Sequence, residues 1–127
     1  MLFRSKFVSA RKSGASHVTL WGTGAPKREF LHSKDLATAV FLAAEKYDSD
    51  LHLNVGVGDD LSIKELATRI SRIAGFEGEI LWDSAKPDGT PRKVLDVTRL
   101  KSLGWSPTIT LDQGIRETIE WFESNYN

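Results

Sequence analysis

One segment limits what this chain can fold into: residues 35–46 read as a helix that is apolar around most of its circumference. Its apolar residues are Leu36, Ala37, Ala39, Val40, Phe41, Leu42, Ala43 and Ala44. A helix of this kind has to be covered on nearly every side, and a chain of 127 residues has the size of one ordinary domain. We therefore expect a single domain, residues 1–127, that is a fragment of a longer protein. Dimerisation or a small, tightly packed fold are the alternatives.

The rest of the pattern predicts a mixed α/β (α+β) fold. Apolar residues at helical spacing, together with capping and stop signals, predict helices at residues 2–12, 35–46, 63–73 and 96–103, and from Thr110 onward. Short β-branched or alternating runs predict strands at residues 17–21, 29–32, 51–55 and 79–82. Ser33 is the predicted cap of the second helix, and Ser62 with Glu65 forms a predicted capping box. The first helix has no strand before it, which again indicates an incomplete chain.

Composition excludes several classes of function. Apolar residues make up 40% and charged residues 27%, and 17 basic residues balance 17 acidic ones, so no overall charge favours nucleic acid or a membrane. There are no cysteines, which excludes disulfides and thiol catalysis within these residues. No segment is apolar enough to span a bilayer, and we expect a cytoplasmic location. Residues 1–12 are basic and free of acids, which fits either a transit peptide or a surface helix.

Two glycine turns begin like a dinucleotide-binding loop, at residues 22–24 and 56–58. In both, the third glycine of the Gly-x-Gly-x-x-Gly pattern is replaced, by Lys27 and by Leu61. We interpret both as turns that end strands. Asp59–Asp60 lies before a capped helix, where acids are favoured by the helix dipole, and the three histidines have no metal-like spacing. No metal site is predicted.

The loop at residues 84–93 has a different character. Its sequence KPDGTPRK, at residues 86–93, places three cations and one acid on a backbone that two prolines stiffen. Cations held at fixed positions suit a diphosphate, because less ordering entropy is lost on binding. An ordinary solvated loop has the same composition. Arg28 has the same two interpretations, and Trp21 reads either as a core residue or as an aromatic platform for a base or sugar.

Three segments together resemble a known family. Residues 21–37 (WGTGAPKREFLHSKDLA) and 52–58 (HLNVGVG) resemble segments of the extended short-chain dehydrogenases, also called the NAD-dependent epimerases. Residues 86–105 (KPDGTPRKVLDVTRLKSLGW) are similar to the GDP-L-fucose synthase branch of that family. The resemblance covers almost the whole chain in the family's order.

The resemblance implies a molecule in two parts. An amino-terminal Rossmann domain binds NADP, and a smaller carboxy-terminal domain binds the GDP-sugar. Only the second part is matched here, because the glycine fingerprint, the Tyr-x-x-x-Lys pair and any cysteine are absent from these residues. The family's catalytic Tyr, Lys, Ser, Cys and His are therefore expected in the missing part. NADP is expected in the full-length parent and not on this chain alone, which we expect to be inactive.

The family's substrate contacts carry over residue by residue. By this resemblance Lys6, Trp21, Arg28, Asp88 and Lys93 are the substrate-binding residues. The implied parent is an NADP-dependent enzyme that converts GDP-4-keto-6-deoxy-D-mannose to GDP-L-fucose, and its partners would be the GDP-sugar, the missing Rossmann half and a possible second copy. The alternatives are a stand-alone GDP-sugar-binding module and a fragment of another nucleotide-sugar epimerase or dehydratase.

Overall fold

A computed structural model describes residues 3–126 of the chain. Met1, Leu2 and Asn127 lie outside the described residues, so the predicted first helix is described only from Phe3. The helices are α1 (Phe3–Ser13), α2 (Ser33–Lys46), α3 (Ile63–Ile73), α4 (Thr98–Ser102) and α5 (Leu111–Asn125). The strands are β1 (His17–Trp21), β2 (Lys27–Arg28), β3 (Leu61–Ser62), β4 (Glu79–Asp83) and β5 (Arg92–Lys93). The predicted mixed α/β class is confirmed.

The strands form two small sheets. β1 and β4 pair in parallel, with His17 opposite Glu79 and Trp21 opposite Asp83. In the second sheet β2 lies in the centre, antiparallel to β3 and parallel to β5. Because β5 follows the loop after β4 and β2 follows the turn after β1, the two sheets bring those connections together at one end of the domain.

The main core lies between β1 and the helices α1, α3 and α5, which contact one another. Alternation along β1 buries Val18 and Leu20, as expected for a strand with one covered face. The capping box at the start of α3 is confirmed: the Ser62 hydroxyl accepts from the Glu65 N–H at 3.1 Å, and the Glu65 carboxylate accepts from the Ser62 N–H at 2.8 Å. The capping box therefore sets the start of α3 directly after β3.

Helix α2 takes part in a second, smaller core cluster, in which its Ala39 packs with Leu100 and Trp105. The Trp105 indole N–H donates to the Thr38 hydroxyl at 3.0 Å. On its other side α2 remains exposed, and its large exposed apolar residues are Leu36, Val40 and Phe41. This exposed apolar surface agrees with the prediction that the domain alone cannot cover the whole helix.

Several predicted elements differ from the structure. The strand predicted at residues 29–32 is wrong: the strand is β2, and beyond it the Glu29 carboxylate accepts backbone N–H groups from residues 57, 58 and 95 in place of continuing the ladder. The cap of α2 is His32, whose Nδ1 accepts from the Lys34 N–H at 3.2 Å, so the predicted cap at Ser33 is wrong by one residue.

Two further predicted elements differ from the structure, one strand and one helix. The strand predicted at residues 51–55 is absent from the described chain, since no neighbouring strand pairs with it; Leu53 and Val55 pack on the second cluster. The helix predicted at residues 96–103 is the shorter α4, because the Asp96 carboxylate accepts from the Thr98 N–H at 2.9 Å and holds the preceding chain in a turn.

Within residues 3–126, no helix combines the length and the apolar character needed to cross a membrane.

Candidate functional site

The site begins where β1 ends. Trp21 is the last residue of β1, and 62% of it is exposed, so it is a surface residue and the core interpretation is wrong. The Gly22 N–H donates to the Asp83 carbonyl at 2.9 Å, and Gly22 and Gly24 have φ of 82° and 77°. A side chain is strained at such angles. These glycines reverse the chain just after Trp21 and leave its indole ring on the surface.

The turn is joined to the KPDGTPRK loop through Asp88. The Thr23 N–H donates to Asp88 Oδ1 at 2.9 Å, and the Thr23 hydroxyl donates to Asp88 Oδ2 at 2.6 Å. These two bonds lower the pKa of Asp88, the hydroxyl bond contributing most. A Cβ on Gly22 would lie 2.3 Å from Asp88 Oδ1, so the close approach requires glycine. Asp88 therefore lies at the predicted site, with each carboxylate oxygen already accepting one bond.

Four basic residues meet where β2 pairs with β5. The register places Lys27 beside Arg92 and Arg28 beside Lys93, and the Lys27 N–H donates to the Pro91 carbonyl at 2.8 Å. Because side chains alternate between the two faces of a strand, Arg28 and Lys93 leave the sheet on one face. Lys27 and Arg92 leave it on the other. The sequence alone does not place these residues side by side, since 65 positions separate the two members of each pair.

The two faces differ in charge. Arg92 Nε lies 2.5 Å from Asp60 Oδ2, and this contact raises the pKa of Arg92. The charge of Lys27 is among the causes that lower the pKa of Glu65, after the hydrogen bonds from Ser62. In contrast, across residues 3–126 no carboxylate forms an ion pair with Arg28 or Lys93. Arg28 Nη1 donates only to the neighbouring Lys27 carbonyl, at 2.6 Å. Lys27 likewise forms no ion pair within residues 3–126, so one face carries two cations without an ion-pair partner and the other face carries one.

A pocket of about 130 Å³ lies between the turn and the loop. Its lining residues include Trp21, Arg28 and Asp88, with Pro87 and Gly89 from the loop. A Cβ on Gly89 would lie 3.2 Å from Arg28 Nη2, so the guanidinium group lies against the loop backbone. Three of the five predicted substrate residues therefore line one pocket. The fourth, Lys93, does not line this pocket but lies on β5, beside Arg28 of β2.

Lys6 is separated from that pocket. It lies on α1, and its ammonium group donates to the Thr19 carbonyl at 2.9 Å. It borders a different depression, of about 380 Å³, with Ser5, Ser9 and Val18. The structure therefore does not bring Lys6 together with the other predicted residues. A third, apolar cleft, of about 270 Å³ between α1, α3 and α5, contains none of the predicted site residues.

Two residues were not predicted as site residues: Lys86, which lies at the site, and Glu29, which directly follows Arg28. The Lys86 ammonium lies 5.6 Å from the centre of the Trp21 ring, within the range of a cation–π contact. Glu29 follows β2 and accepts from Val57 and Gly58 with Oε2, at 3.1 and 2.9 Å, and from Leu95 with Oε1, at 3.1 Å. Lys86 could have been chosen from the loop's cluster of cations. Nothing in the sequence indicates the three distant partners of Glu29.

The glycine turns do not fit a dinucleotide. In a phosphate-binding loop the absent side chains leave room for the ligand. Here a Cβ on Gly24 would meet the Trp82 ring at 2.7 Å, one on Gly56 would meet Glu29 Oε2 at 2.7 Å, and one on Gly58 would meet Val97 at 2.6 Å. Protein side chains fill the space, in agreement with the interpretation of both segments as turns.

Comparison with known proteins agrees with this fold. Residues 3–56 match the model of the NAD dependent epimerase/dehydratase family. The chain is 46% identical over 120 residues to a probable GDP-L-fucose synthase 1 of Oryza sativa subsp. japonica, an alignment that covers 94% of this chain and 37% of the relative. It is 44% identical over 129 residues to the GDP-L-fucose synthase of Escherichia coli (strain K12), with 94% and 40% covered.

A solved structure agrees as well. A GDP-L-fucose synthetase from Naegleria fowleri, bound to NADP, matches with a TM-score of 0.90 and 29% identity, covering 98% of this chain and 39% of that one. The chain thus spans less than half the length of these relatives. Residues 3–56 thus match the NAD dependent epimerase/dehydratase family, and over almost its whole length the chain is similar in sequence and fold to one part of the GDP-L-fucose synthases.

Proposed function

We propose that these residues are the substrate-binding, carboxy-terminal part of an NADP-dependent GDP-sugar epimerase/reductase. The parent would convert GDP-4-keto-6-deoxy-D-mannose to GDP-L-fucose. The observation that carries the proposal is the pair Arg28 and Lys93, which lie side by side with no carboxylate partner within residues 3–126, next to the pocket lined by Trp21 and Asp88.

The chemistry of the pair matches a diphosphate. Two cations on neighbouring strands, on one face of a sheet, attract an anion with two phosphate groups, and charge-assisted hydrogen bonds to phosphate are among the stronger polar contacts. The opposite face gives a comparison within the same sheet, because Arg92 there is neutralised by Asp60. Trp21 adds an exposed aromatic ring beside the cations. Such rings stack on bases or pack on sugars. This arrangement supports a nucleotide diphosphate-sugar as the ligand.

The proposal requires a second part of the protein. The exposed face of α2 includes Val40 and Phe41, which are 55% and 74% exposed, and Leu51 nearby in sequence is 53% exposed. A surface of this kind on a protein indicates a contact surface. We infer that the missing Rossmann part covers α2, pairs with residues 51–55, binds NADP, and supplies the catalytic groups, since residues 1–127 contain no cysteine and no Tyr-x-x-x-Lys pair.

The test is a pair of double variants of the full-length protein with matched charge. Arg28→Ala/Lys93→Ala removes the two cations next to the pocket, and we expect the affinity for GDP-L-fucose to fall about 100-fold by titration calorimetry, because two charge-assisted contacts are lost. Lys27→Ala/Arg92→Ala removes the same charge from the other face. We expect this variant to change the affinity at most a few-fold, because exposed charges that do not contact the ligand are screened by salt. Equal losses of affinity in both double variants would mean that net charge alone explains the effect, and would contradict the proposed site.

A stand-alone GDP-sugar-binding module is the second candidate. It is favoured by one observation: β1, which ends at Trp21, is held in the main core by Val18 and Leu20, so the pocket has a folded support within residues 3–126. An amide-resolved NMR titration of residues 1–127 with GDP-L-fucose, and with UDP-glucose as the control, separates the candidates. Saturable shifts at Trp21, Arg28 and residues 86–93 with the guanosine sugar alone would favour the module. A dispersed spectrum that neither ligand changes would mean that binding requires the other part.

A further inference from the structure

Thr23 makes contacts that the proposed ligand contacts do not explain. Its N–H and its hydroxyl each donate to a different oxygen of Asp88, at 2.9 and 2.6 Å. The same hydroxyl oxygen accepts from the Ala25 N–H at 3.1 Å. One side chain thus joins the glycine turn to a loop residue 65 positions away. Hydrogen bonds to an ionised acceptor are the stronger class, so the orientation of the carboxylate is well defined.

The loop carries one wall of the pocket, and Asp88 is where that wall is attached to the turn. Pro87, Asp88 and Gly89 line the pocket opposite Trp21. The loop is also anchored at its ends, where the Lys86 N–H donates to the Asp83 carbonyl and the Pro91 carbonyl accepts from the Lys27 N–H. Between these anchors, the hydrogen bonds from Thr23 to Asp88 join the middle of the loop to the turn after β1.

The position of Arg28 depends on the same wall. Its Nη2 would lie 3.2 Å from a Cβ on Gly89, so a displacement of the loop at Asp88 changes the surface on which the guanidinium rests. The distance between the aromatic ring of Trp21 and the cation of Arg28 is therefore set in part through Thr23. A ligand that contacts both groups at once requires that distance to be correct before it binds, because ordering a mobile loop on binding costs affinity.

We propose that Thr23 is a positioning residue for the GDP-sugar pocket, acting through Asp88 on the loop at residues 84–91. The inference rests on the proposed function, since it assigns Thr23 a role in binding the same ligand. Thr23 itself does not have to touch the ligand. Its hydroxyl keeps the Asp88 carboxylate, and with it the pocket wall, at a fixed place relative to Trp21 and Arg28.

Three variants of the full-length protein test the role. Thr23→Val keeps the shape of the side chain and removes the hydroxyl, and we expect it to weaken GDP-L-fucose binding about tenfold, the loss typical of one hydrogen bond to a charged group. Thr23→Ser keeps the hydroxyl and should restore binding to within about twofold of the wild type. Thr68→Val is the control, because it removes a hydroxyl that donates to the Lys64 carbonyl on α3, away from the pocket.

A double-variant cycle shows whether Thr23 acts through Asp88. If it does, adding Thr23→Val to Asp88→Ala lowers the affinity no further, because contacting residues of one unit are not additive. Additive losses would overturn the proposal, as would a Thr23→Val protein that binds as tightly as the wild type. A wild-type protein that binds no GDP-sugar would contradict the proposed function, and the positioning role with it. Binding that only Arg28→Ala/Lys93→Ala weakens would remove the positioning role alone.

Discussion

The carboxylate of Asp35 accepts two hydrogen bonds from Thr108, from the hydroxyl to Oδ1 at 2.8 Å and from the N–H to Oδ2 at 3.1 Å. The Ile109 N–H adds a third bond, to Oδ2 at 2.9 Å. Only 2% of Asp35 is exposed. Burial alone raises the pKa of this carboxyl, but the three hydrogen bonds together with the nearby His32 outweigh burial, and the pKa is lowered. A buried charge therefore ties the first turn of α2 to the segment before α5.

Asp35→Asn is expected to destabilise the chain. The asparagine has one acceptor oxygen in place of two, and its NH2 group faces donors, so at least one buried N–H loses its partner. The expected loss is about 2 kcal/mol in the free energy of unfolding, measured by chemical denaturation. Asp112→Asn is the control, because Asp112 pairs with Arg69 and Arg72 on the surface and should cost less than about 1 kcal/mol. Equal losses in the two variants would contradict the role of burial.

Stability should fall on acidification. Asp35 and Glu65 both have a pKa below the ordinary values of 3.8 and 4.5, respectively. A group whose pKa is lower in the folded state contributes stability above its unfolded pKa, and that contribution is lost as the pH falls through the folded pKa. We therefore expect the free energy of unfolding to be constant from neutral pH down to about 5 and to decrease below about 4. Circular dichroism across this range measures it, and a stability that rises below pH 4 would contradict the assignment.

Local features of the fold were predictable from the sequence, because their partners are close along the chain. The capping box of Ser62 and Glu65 spans one helical turn, and the structure contains it as predicted. The glycine turn after Trp21 follows from the strand before it and from the two glycines that close it. In each case the residues that make the contact lie within a few positions of one another, so spacing alone describes the geometry.

Contacts between distant segments could not be predicted in the same way. The pairing of Arg28 with Lys93 depends on which strand lies beside β2, and the alternation of side chains does not identify the neighbour. The residues 51–55 show the same limit. They alternate like a strand, but a strand requires a partner, and none pairs with them among residues 3–126. The bonds from Thr23 to Asp88 join two loops, for which no periodic signal exists.

Gly22 and Gly104 form a matched pair for testing the pocket. Both have positive φ, of 82° and 88°, but a Cβ on Gly22 would lie 2.3 Å from Asp88 Oδ1, whereas one on Gly104 would meet nothing within 4 Å. Each change to alanine should cost about 1 kcal/mol of unfolding free energy through backbone strain. Only Gly22→Ala should also displace the Asp88 carboxylate from Thr23, and we expect it to weaken GDP-L-fucose binding about tenfold. Unchanged binding in Gly22→Ala would show that the carboxylate can move without consequence.

The exposed face of α2 gives the last prediction, which concerns what covers it. Phe41 is 74% exposed in this chain, so Phe41→Glu in residues 1–127 alone should change the free energy of unfolding by less than about 0.5 kcal/mol. In the full-length protein the same substitution would place a charge in the contact with the proposed Rossmann part. An unpaired buried charge is costly, and we expect a loss above about 2 kcal/mol there. Phe41→Leu keeps the face apolar and should cost less than half as much. If Phe41→Glu is harmless in the full-length protein too, another surface joins the two parts, since a side chain that is exposed in both forms makes no contact that a charge could disturb.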